Sequence, residues 1–314
     1  MKIVYCGNRT NLASDGKSFN TENHIALTLE KLGHEVVFLQ ENRLPIGWQN
    51  MNANIFIWQR TWPGIVTEHD LRQIESKGIK TVSFHLDKYA GIKRDGGMGV
   101  GSAFWKTQYV FSPENSPESR RIFKERGINQ HYLPPAVFED ECYIAEPVNK
   151  FKHDIVFVGG GEEYAHPEWP YRGKLVRWLR ETYGDRFAKY GGRDGTIRGT
   201  ELNQLYSSSK VVIGDSLCKD FMDTYYWSDR LTEVIGRGGF IIHPYIAGIT
   251  DNFVDRKEAV YYSYDNFTQL KNLIDYYLEH DDEREAIRIA GNARCKLDHT
   301  YTNRMKRLLE VINE

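Results

Sequence analysis

The sequence contains no apolar run approaching the roughly 18 residues that a membrane-spanning helix needs. Its first residues, MKIVYCGN, lead straight into a strand pattern and lack the hydrophobic region of a signal peptide. The four cysteines lie far apart, without a CxxC pair or a histidine spacing that would complete a zinc site. We therefore expect a soluble protein of the cytoplasm, or of the host cytoplasm if the chain is viral, with buried free thiols and no membrane span.

Several catalytic motifs are also missing. The chain has no GxSxG, no P-loop lysine pattern and no HExxH, which argues against the common hydrolases, nucleoside triphosphatases and zinc peptidases. No DxD follows a strand, so a metal-dependent transferase of the single-domain type is disfavoured. The formal net charge of -2 does not require a nucleic-acid partner, although a local basic patch is compatible with it.

The residues that are present indicate a globular chain of two domains. Its 314 residues, of which 40% are hydrophobic, suffice for two cores. Apolar strands alternate with helices throughout, which is typical of α/β proteins whose parallel sheets are covered on both faces. We predict two Rossmann-like, doubly wound lobes facing a central cleft, over residues 1–140 and 153–300. Residues 301–314 are expected to form a terminal helix that packs back on the first lobe, and the charged segment 138–152 is expected to be a linker.

Hydrophobic periodicity and the helix start and stop signals give the elements of both lobes. The first lobe has predicted strands at 2–6, 35–40, 54–60, 81–86, 107–113 and 131–137, and predicted helices at 21–33, 68–78 and 116–127. The second has predicted strands at 154–160, 186–192, 211–216, 240–244 and 259–264, and predicted helices at 171–184, 200–209, from near Asp229, at 267–280 and at 283–313.

The sharpest local motif is WSDRLTEVIGRGGFIIHP (227–244), which predicts a short helix with Ser228 or Asp229 as N-cap, followed by a strand. Arg230 and Glu233 lie three apart, on one face of the first turn. The N-terminus of a helix and an arginine both favour phosphate oxygens, and the glutamate is placed to accept ribose hydroxyls. The alternative is a surface Arg–Glu pair that supports the helix.

Two glycine-rich loops follow strands of the second lobe. In VFVGGGEEY (156–164), Gly159, Gly160 and Gly161 allow a ligand to approach the backbone closely, although the spacing is not GxGxxG. In KYGGRDG (189–195), Arg193 projects from the same sheet edge, where a diphosphate would lie. A plain tight turn is the alternative for both loops.

The strand TVSFHL (81–86) delivers His85 and Asp87 to a carboxyl end in the first lobe, where an acceptor-side catalytic group is expected. Asp87 is the candidate general base if the anomeric centre is inverted, and it orients the substrate if the centre is retained. The alternatives are that Asp87 caps the following turn and that His85 is a hydrogen-bonded core histidine.

Acceptor contacts are expected from two further loops. Asn8 and Arg9 lie in the long polar loop after the first strand. Lys93, Arg94 and Trp105 interleave cations and aromatic rings in a pattern compatible with a phosphate backbone, stacked sugars or bases. A solvated loop is the alternative.

From Arg230 to Arg304 the chain resembles the CgeB-like group of family-1-type glycosyltransferases, through Arg230-Leu231-Thr232-Glu233, Gly238-Gly239 and His299-Thr300-Tyr301. The resemblance implies a GT-B fold, a nucleoside-diphosphate-sugar donor (most simply a UDP-sugar) and no metal or other cofactor. It implies that Arg230 holds the diphosphate and Glu233 the ribose, whereas His299, Thr300 and Tyr301 fix the packing of the final helix.

These observations predict a metal-independent glycosyltransferase whose second lobe binds the donor and whose first lobe binds the acceptor. The acceptor is a carbohydrate, a protein or a hydroxymethylated base in DNA, as in viral DNA glycosylation. A nucleotide-sugar epimerase is a rival with the same fold, and a non-catalytic sugar-nucleotide-binding protein associated with a coat is a rival from another class.

Overall fold

The computed structural model describes residues 1–8, 20–59, 64–90, 102–160, 170–216 and 224–314, without the side chains of Pro45, Ile46 and Arg193. The described residues form two compact units. The first comprises Met1–Pro134 and Tyr301–Glu314, and the second comprises Pro135–Thr300.

The first unit contains a parallel sheet with the strand order β2-β1-β3-β4-β5-β6. Its strands are β1 (Lys2–Gly7), β2 (Glu35–Gln40), β3 (Ile55–Trp58), β4 (Lys80–Phe84), β5 (Tyr109–Ser112) and β6 (Gln130–Tyr132). Its helices are α1 (Thr21–Lys31), α2 (Leu44–Gly47), α3 (Glu68–Ser76), α4 (Pro117–Glu125) and α10 (Tyr301–Asn313).

The helix starts of the first unit follow their sequence signals. Thr67 and Asp70 form a capping box before α3, in which each side chain accepts a hydrogen bond from the backbone N–H of the other. Ser116 Oγ accepts from the N–H of Ser119 at 3.0 Å, and Pro117 occupies the first position of α4. Local chemistry therefore sets where these helices begin.

The second unit contains a parallel sheet with the strand order β11-β10-β9-β7-β8. Its strands are β7 (Ile155–Val158), β8 (Phe187–Tyr190), β9 (Val211–Ile213), β10 (Ile241–Pro244) and β11 (Val260–Tyr262). Its helices are α5 (Tyr171–Tyr183), α6 (Gly199–Ser208), α7 (Arg230–Gly236), α8 (Phe267–Glu279) and α9 (Asp281–Asp298).

Both faces of the second sheet are covered by apolar side chains. Along β7, Val156 and Val158 pack into one hydrophobic cluster, whereas Ile155 and Phe157 pack into another. Successive side chains of a strand point to opposite faces, so a strand buried on both faces is apolar at every position. The sequence of β7, IVFV, follows this pattern, and all four of its residues are buried.

The segment 138–152 is part of the second unit, so its interpretation as a linker is wrong. Cys142 and Phe151 are buried in the core of that unit. Asn203 Nδ2 donates to the backbone oxygens of Glu141 and Tyr143, at 2.8 and 2.9 Å. The charged residues of the segment led to the linker interpretation, whereas its apolar residues anchor it in the core.

The predicted single helix over 283–313 is two helices, α9 and α10. Between them, His299 accepts a hydrogen bond through its backbone oxygen from the N–H of Val137 at 3.0 Å, and Thr300 forms a bridge with Val137. Strand β6 ends at Tyr132, before the predicted limit, because the two prolines that follow shortly after it have no N–H for the ladder.

Cys6, Cys142 and Cys295 are buried free thiols, as predicted, and Cys218 lies outside the described residues. In the part of the chain that the structure describes, no helix combines the length and the apolar character needed to cross a membrane.

Candidate active site

The carboxyl edge of the second sheet brings together segments that lie far apart in the sequence. Gly159 and Gly160 follow β7, Gly191 follows β8, and the segment 214–216 follows β9. Helix α7 begins at Arg230, whose side chain reaches this edge. Ligands of open parallel sheets bind at such edges.

The guanidinium of Arg230 lies against the ends of β7 and β9. Its Nε donates to the backbone oxygen of Val158 at 2.9 Å, and its Nη1 donates both to the backbone oxygen of Asp215 at 3.2 Å and to the Asp215 carboxylate. Its Nη2 makes no hydrogen bond within the described residues. Arg230 is thus held on one side, and the two N–H groups of Nη2 remain available to an anion.

Gly159 has a φ of +148° and lies directly beside this guanidinium. A Cβ at position 159 would lie 2.8 Å from Nη2 of Arg230, closer than a real contact allows. A Cβ at Gly191 would lie 3.0 Å from the nitrogen of Gly159, which donates to the backbone oxygen of Tyr190 at 2.8 Å. Both glycines are therefore required by close packing as well as by backbone conformation.

Asp215 is fully buried between two arginines. Arg172, on α5, donates from Nε to its Oδ2 at 2.7 Å, and Arg230 binds Oδ1. Burial alone would raise the pKa of Asp215, but the charges of Arg230 and Arg172, with a smaller effect of His243, hold it below its ordinary value. Asp215 is therefore a carboxylate that fixes Arg230, and its own charge is compensated.

A chain of hydrogen bonds ties the segment 214–216 to the start of α7. Ser216 Oγ lies 3.1 Å from Nε2 of His243 and accepts from the N–H of Ser228 at 3.0 Å, while Ser228 Oγ donates to the backbone oxygen of Asp215 at 2.9 Å. His243 is fully buried, and burial lowers its pKa to about 4, so the ring is neutral near pH 7. Its Nδ1 donates to the backbone oxygen of Pro244 at 2.7 Å, which leaves Nε2 to accept from Ser216.

Glu233 lies three residues after Arg230 on α7, and its side chain is 34% exposed. Within the described residues its carboxylate has no hydrogen-bond donor, and the nearest cation is Nη2 of Arg237 at 4.0 Å, which is bonded to Glu141. Burial and the charge of Asp229 raise the pKa of Glu233, against the opposing effect of Arg237. Its oxygens are therefore open to hydroxyl donors.

The structure rejects the alternative of a surface Arg–Glu pair, because Arg230 is bonded to Asp215 and not to Glu233. Asp229 is the N-cap of α7, but its side chain makes no capping hydrogen bond. The helix has only seven residues. The positive charge at the start of α7 therefore comes mainly from the side chain of Arg230 and not from the helix dipole.

His85 follows β4 in the first unit and is only 5% exposed. The rings of Tyr89, Phe104 and Trp105 surround it at centroid distances of 5.0, 5.5 and 5.0 Å, and its Nε2 lies 3.8 Å from Oε2 of Glu114. A ring enclosed in this way cannot reach a substrate. The structure thus supports the core-histidine interpretation and corrects the catalytic one.

Trp105 is 1% exposed, and its indole packs on Phe123 at 5.4 Å as well as on the ring of His85. An indole without an exposed face cannot stack on a sugar or a base. Its assignment as an acceptor contact is therefore corrected to a core residue of the first unit.

Asp87 and Asn8 lie at the carboxyl edge of the first sheet. Asp87 is exposed just after β4. Asn8 follows β1 and is tied to its neighbours, because its Oδ1 accepts from Nε2 of Gln40 at 2.7 Å and its backbone oxygen accepts from Nδ2 of Asn20 at 2.9 Å.

Part of the predicted site lies outside the described residues. This holds for Arg9, Lys93, Arg94 and Gly161, and for the side chain of Arg193. Conversely, Asp215 and Arg172 are absent from the residues predicted for the site. An aspartate directly after a buried strand is the same signal that singled out Asp87, and it would have found Asp215.

The chain is similar to known proteins in part of its sequence and in its fold. Residues 172–310 match the Glyco_trans_1_2 family, described as glycosyl transferase-like. No curated protein sequence matches the chain.

Solved structures with the same fold cover the whole chain. A glycosyltransferase from Rickettsia africae superposes with a TM-score of 0.65 at 12% identity, over 99% of this chain and 97% of that one. Anabaena Alr3699/HepE in complex with UDP-glucose gives 0.63 at 10%, over 100% and 99%. An alpha-glucosyltransferase in complex with UDP and a 13-mer DNA containing an HMU base gives 0.68 at 11%, over 100% of each chain.

The predicted α/β fold with two Rossmann-like lobes is confirmed, and it is the GT-B fold. The family match over 172–310 contains Arg172, Asp215, Arg230 and Glu233. These findings support the glycosyltransferase class predicted from the sequence, whereas membership of the CgeB-like group stays a prediction.

Proposed function

We propose that the protein is a glycosyltransferase that moves a sugar from a nucleoside-diphosphate sugar, most simply a UDP-sugar, to an acceptor hydroxyl without a metal ion. One observation carries the proposal. Arg230 is locked by Asp215 and Val158 at the carboxyl edge of the second sheet with Nη2 unbonded within the described residues, and the open carboxylate of Glu233 lies one turn further along α7.

Arg230 binds the diphosphate in this proposal. The reaction breaks the bond between the anomeric carbon and the diphosphate oxygen, so negative charge develops on the leaving group. A guanidinium fixed beforehand by Asp215 needs no reorganisation to stabilise that charge. The low exposure of the Arg230 side chain, 13%, strengthens the interaction because little water screens it.

Glu233 binds the ribose hydroxyls. A carboxylate that accepts both of them discriminates a ribonucleotide from a compound without the diol, because an unmet hydrogen bond to a charged group costs about 1.5–3 kcal/mol. The glycine at 159 leaves the backbone bare beside Arg230, which permits close approach of the phosphates. The UDP and UDP-glucose bound by the HepE and alpha-glucosyltransferase structures support uridine as the base.

On the acceptor side the proposal assigns Asp87. It is exposed at the end of β4, as a general base must be in order to take a proton from the acceptor hydroxyl of an inverting reaction. In a retaining reaction the same carboxylate orients the substrate.

A hydroxymethylated base in DNA is the second candidate acceptor, beside a carbohydrate or a protein. The likeness in fold to an alpha-glucosyltransferase bound to DNA with an HMU base favours it. The non-catalytic alternative is a coat-associated protein that binds the sugar nucleotide but does not turn it over.

The test is release of UDP from UDP-glucose and other UDP-sugars in EDTA, with free sugars, peptides and duplex DNA containing 5-hydroxymethyl bases as acceptors. The proposal predicts acceptor-dependent release that Arg230→Gln abolishes and that Lys174→Gln, at an exposed ion pair, leaves unchanged. Tight UDP binding without turnover on any acceptor would favour the non-catalytic rival. Consumption of UDP-sugar without an acceptor and without UDP release would favour an epimerase.

A further inference from the structure

Helix α9 (Asp281–Asp298) carries apolar side chains on its exposed face as well as on its buried one. Ile287 and Cys295 are buried in the hydrophobic clusters of the second unit. The exposed apolar residues recur at spacings of three and four and are Ala286, Ile289, Ala290, Ala293 and Leu297. Because such spacings place side chains on one face of a helix, α9 has a continuous apolar stripe on its surface.

The stripe has both the apolar area and the shape that suit a second helix. Its largest side chains, Ile289 and Leu297, are 51% and 67% exposed. A single exposed apolar residue is ordinary, but a contiguous exposed group of them is typical of an interaction surface. The small side chains of Ala286 and Ala293 allow another helix to approach to the usual interaxial distance of about 8–10 Å.

The charges beside the stripe indicate what that second helix is. Asp282 and Lys296 lie at its two ends, about four helical turns apart and on the same edge. Neither forms an ion pair with another residue that the structure describes. They lie at equal distances in sequence from Ile289. A two-fold axis at Ile289 therefore places Asp282 of one copy opposite Lys296 of another, so this face is complementary in charge to itself when two copies run antiparallel.

We propose that the exposed face of α9 is the contact surface of a homodimer, in which two copies of α9 pack antiparallel about a two-fold axis at Ile289. Each Ile289 meets its equivalent, and Asp282 pairs with Lys296 of the second copy on both sides of the axis. Leu297 reaches the first turn of the second copy's α9, beside which the exposed ring of Tyr276 lies. A contact of one helix per copy is small, so the dimer is expected to dissociate reversibly. The inference goes beyond the proposed glycosyl transfer and does not depend on it.

The test is sedimentation velocity of the full chain over a series of protein concentrations, without nucleotide. We expect a reversible monomer–dimer equilibrium for the wild type. Ile289→Arg should abolish the dimer, because two like charges would meet at the axis without water to screen them. Val37→Arg is the matched control, since Val37 is an apolar residue of the first unit that is 43% exposed, and its dimer should be as stable as that of the wild type.

A charge exchange tests the antiparallel arrangement itself. Asp282→Lys and Lys296→Asp should each weaken the dimer by at least about 10-fold, because two attractive contacts become repulsive. The variant with both substitutions should regain the affinity of the wild type. A wild type that stays monomeric, or a dimer that persists in Ile289→Arg, would overturn the proposal, and a double variant no tighter than the single ones would overturn the antiparallel pairing. Since no nucleotide is present, a failure of the proposed donor site leaves every outcome unchanged.

Discussion

Replacement of Gly159 by alanine should weaken UDP binding while the fold persists. The new Cβ would lie 2.8 Å from Nη2 of Arg230 and 3.3 Å from Cε1 of Phe157, where ordinary contacts begin at 3.4 Å. The guanidinium must therefore move by at least about 0.2 Å, and by about 0.6 Å to regain an ordinary contact, away from the position that its 2.9 Å bond to Val158 defines. If the diphosphate contact is lost, binding falls by about 1.5–3 kcal/mol, or roughly 10- to 150-fold in Kd.

The matched control for this variant is Gly184→Ala, at the end of α5 and outside the predicted donor site. Gly184 also has a positive φ, +52°, but a Cβ there meets no atom within 4 Å. Both alanines carry backbone strain of about 1–3 kcal/mol, which urea unfolding will show, but only the first displaces Arg230. Calorimetric titration of UDP compares the two. UDP affinity of Gly159→Ala equal to that of the wild type, or an equal loss in both variants, would refute the reasoning.

Two further predictions concern stability. Asp215→Ala should lower the free energy of unfolding by about 3–5 kcal/mol, because the guanidinium groups of Arg172 and Arg230 lose their carboxylate. The control Lys174→Ala, which breaks an exposed pair with Asp265, should lower it by less than about 1 kcal/mol. Equal losses in urea unfolding would contradict this prediction. His243 has a pKa of about 4 in the fold against 6.5 unfolded, so the unfolded chain takes up the proton first as the pH falls. The wild type should therefore lose up to about 3 kcal/mol between pH 6.5 and pH 4 relative to His243→Gln, and parallel stability curves for the two proteins would exclude this effect.

Much of the fold can be predicted from the sequence because its signals are local. The run that forms β7 is apolar at every position, and Ser116-Pro117 marks the start of α4. Sequence signals fail where a tertiary contact determines the end of a helix or strand. The helix predicted over 283–313 breaks at His299 because Val137, far away in the chain, takes its backbone oxygen.

The candidate site also has features that local sequence predicts and features that depend on tertiary contacts. Arg230 and Glu233 share one helical turn, so their spacing alone predicts a common face. Their electrostatic setting depends on Asp215 and Arg172, which reach the same sheet edge through different elements, and no local pattern pairs them. Trp105 was predicted as an acceptor contact because cations and aromatic residues interleave around it in the sequence, whereas in the structure its indole packs on other rings in the core.

The central claim is that Arg230 and Glu233 bind a nucleoside diphosphate at the carboxyl edge of the second sheet. The most direct measurement is calorimetric titration of UDP, GDP and ADP, in EDTA, into the wild type, Glu233→Ala and the control Glu201→Ala, whose exposed carboxylate pairs with Lys150. We predict binding of one nucleotide that weakens by about 1.5–3 kcal/mol in Glu233→Ala and not in the control. No binding of any nucleotide, or the same affinity in all three proteins, would contradict the account.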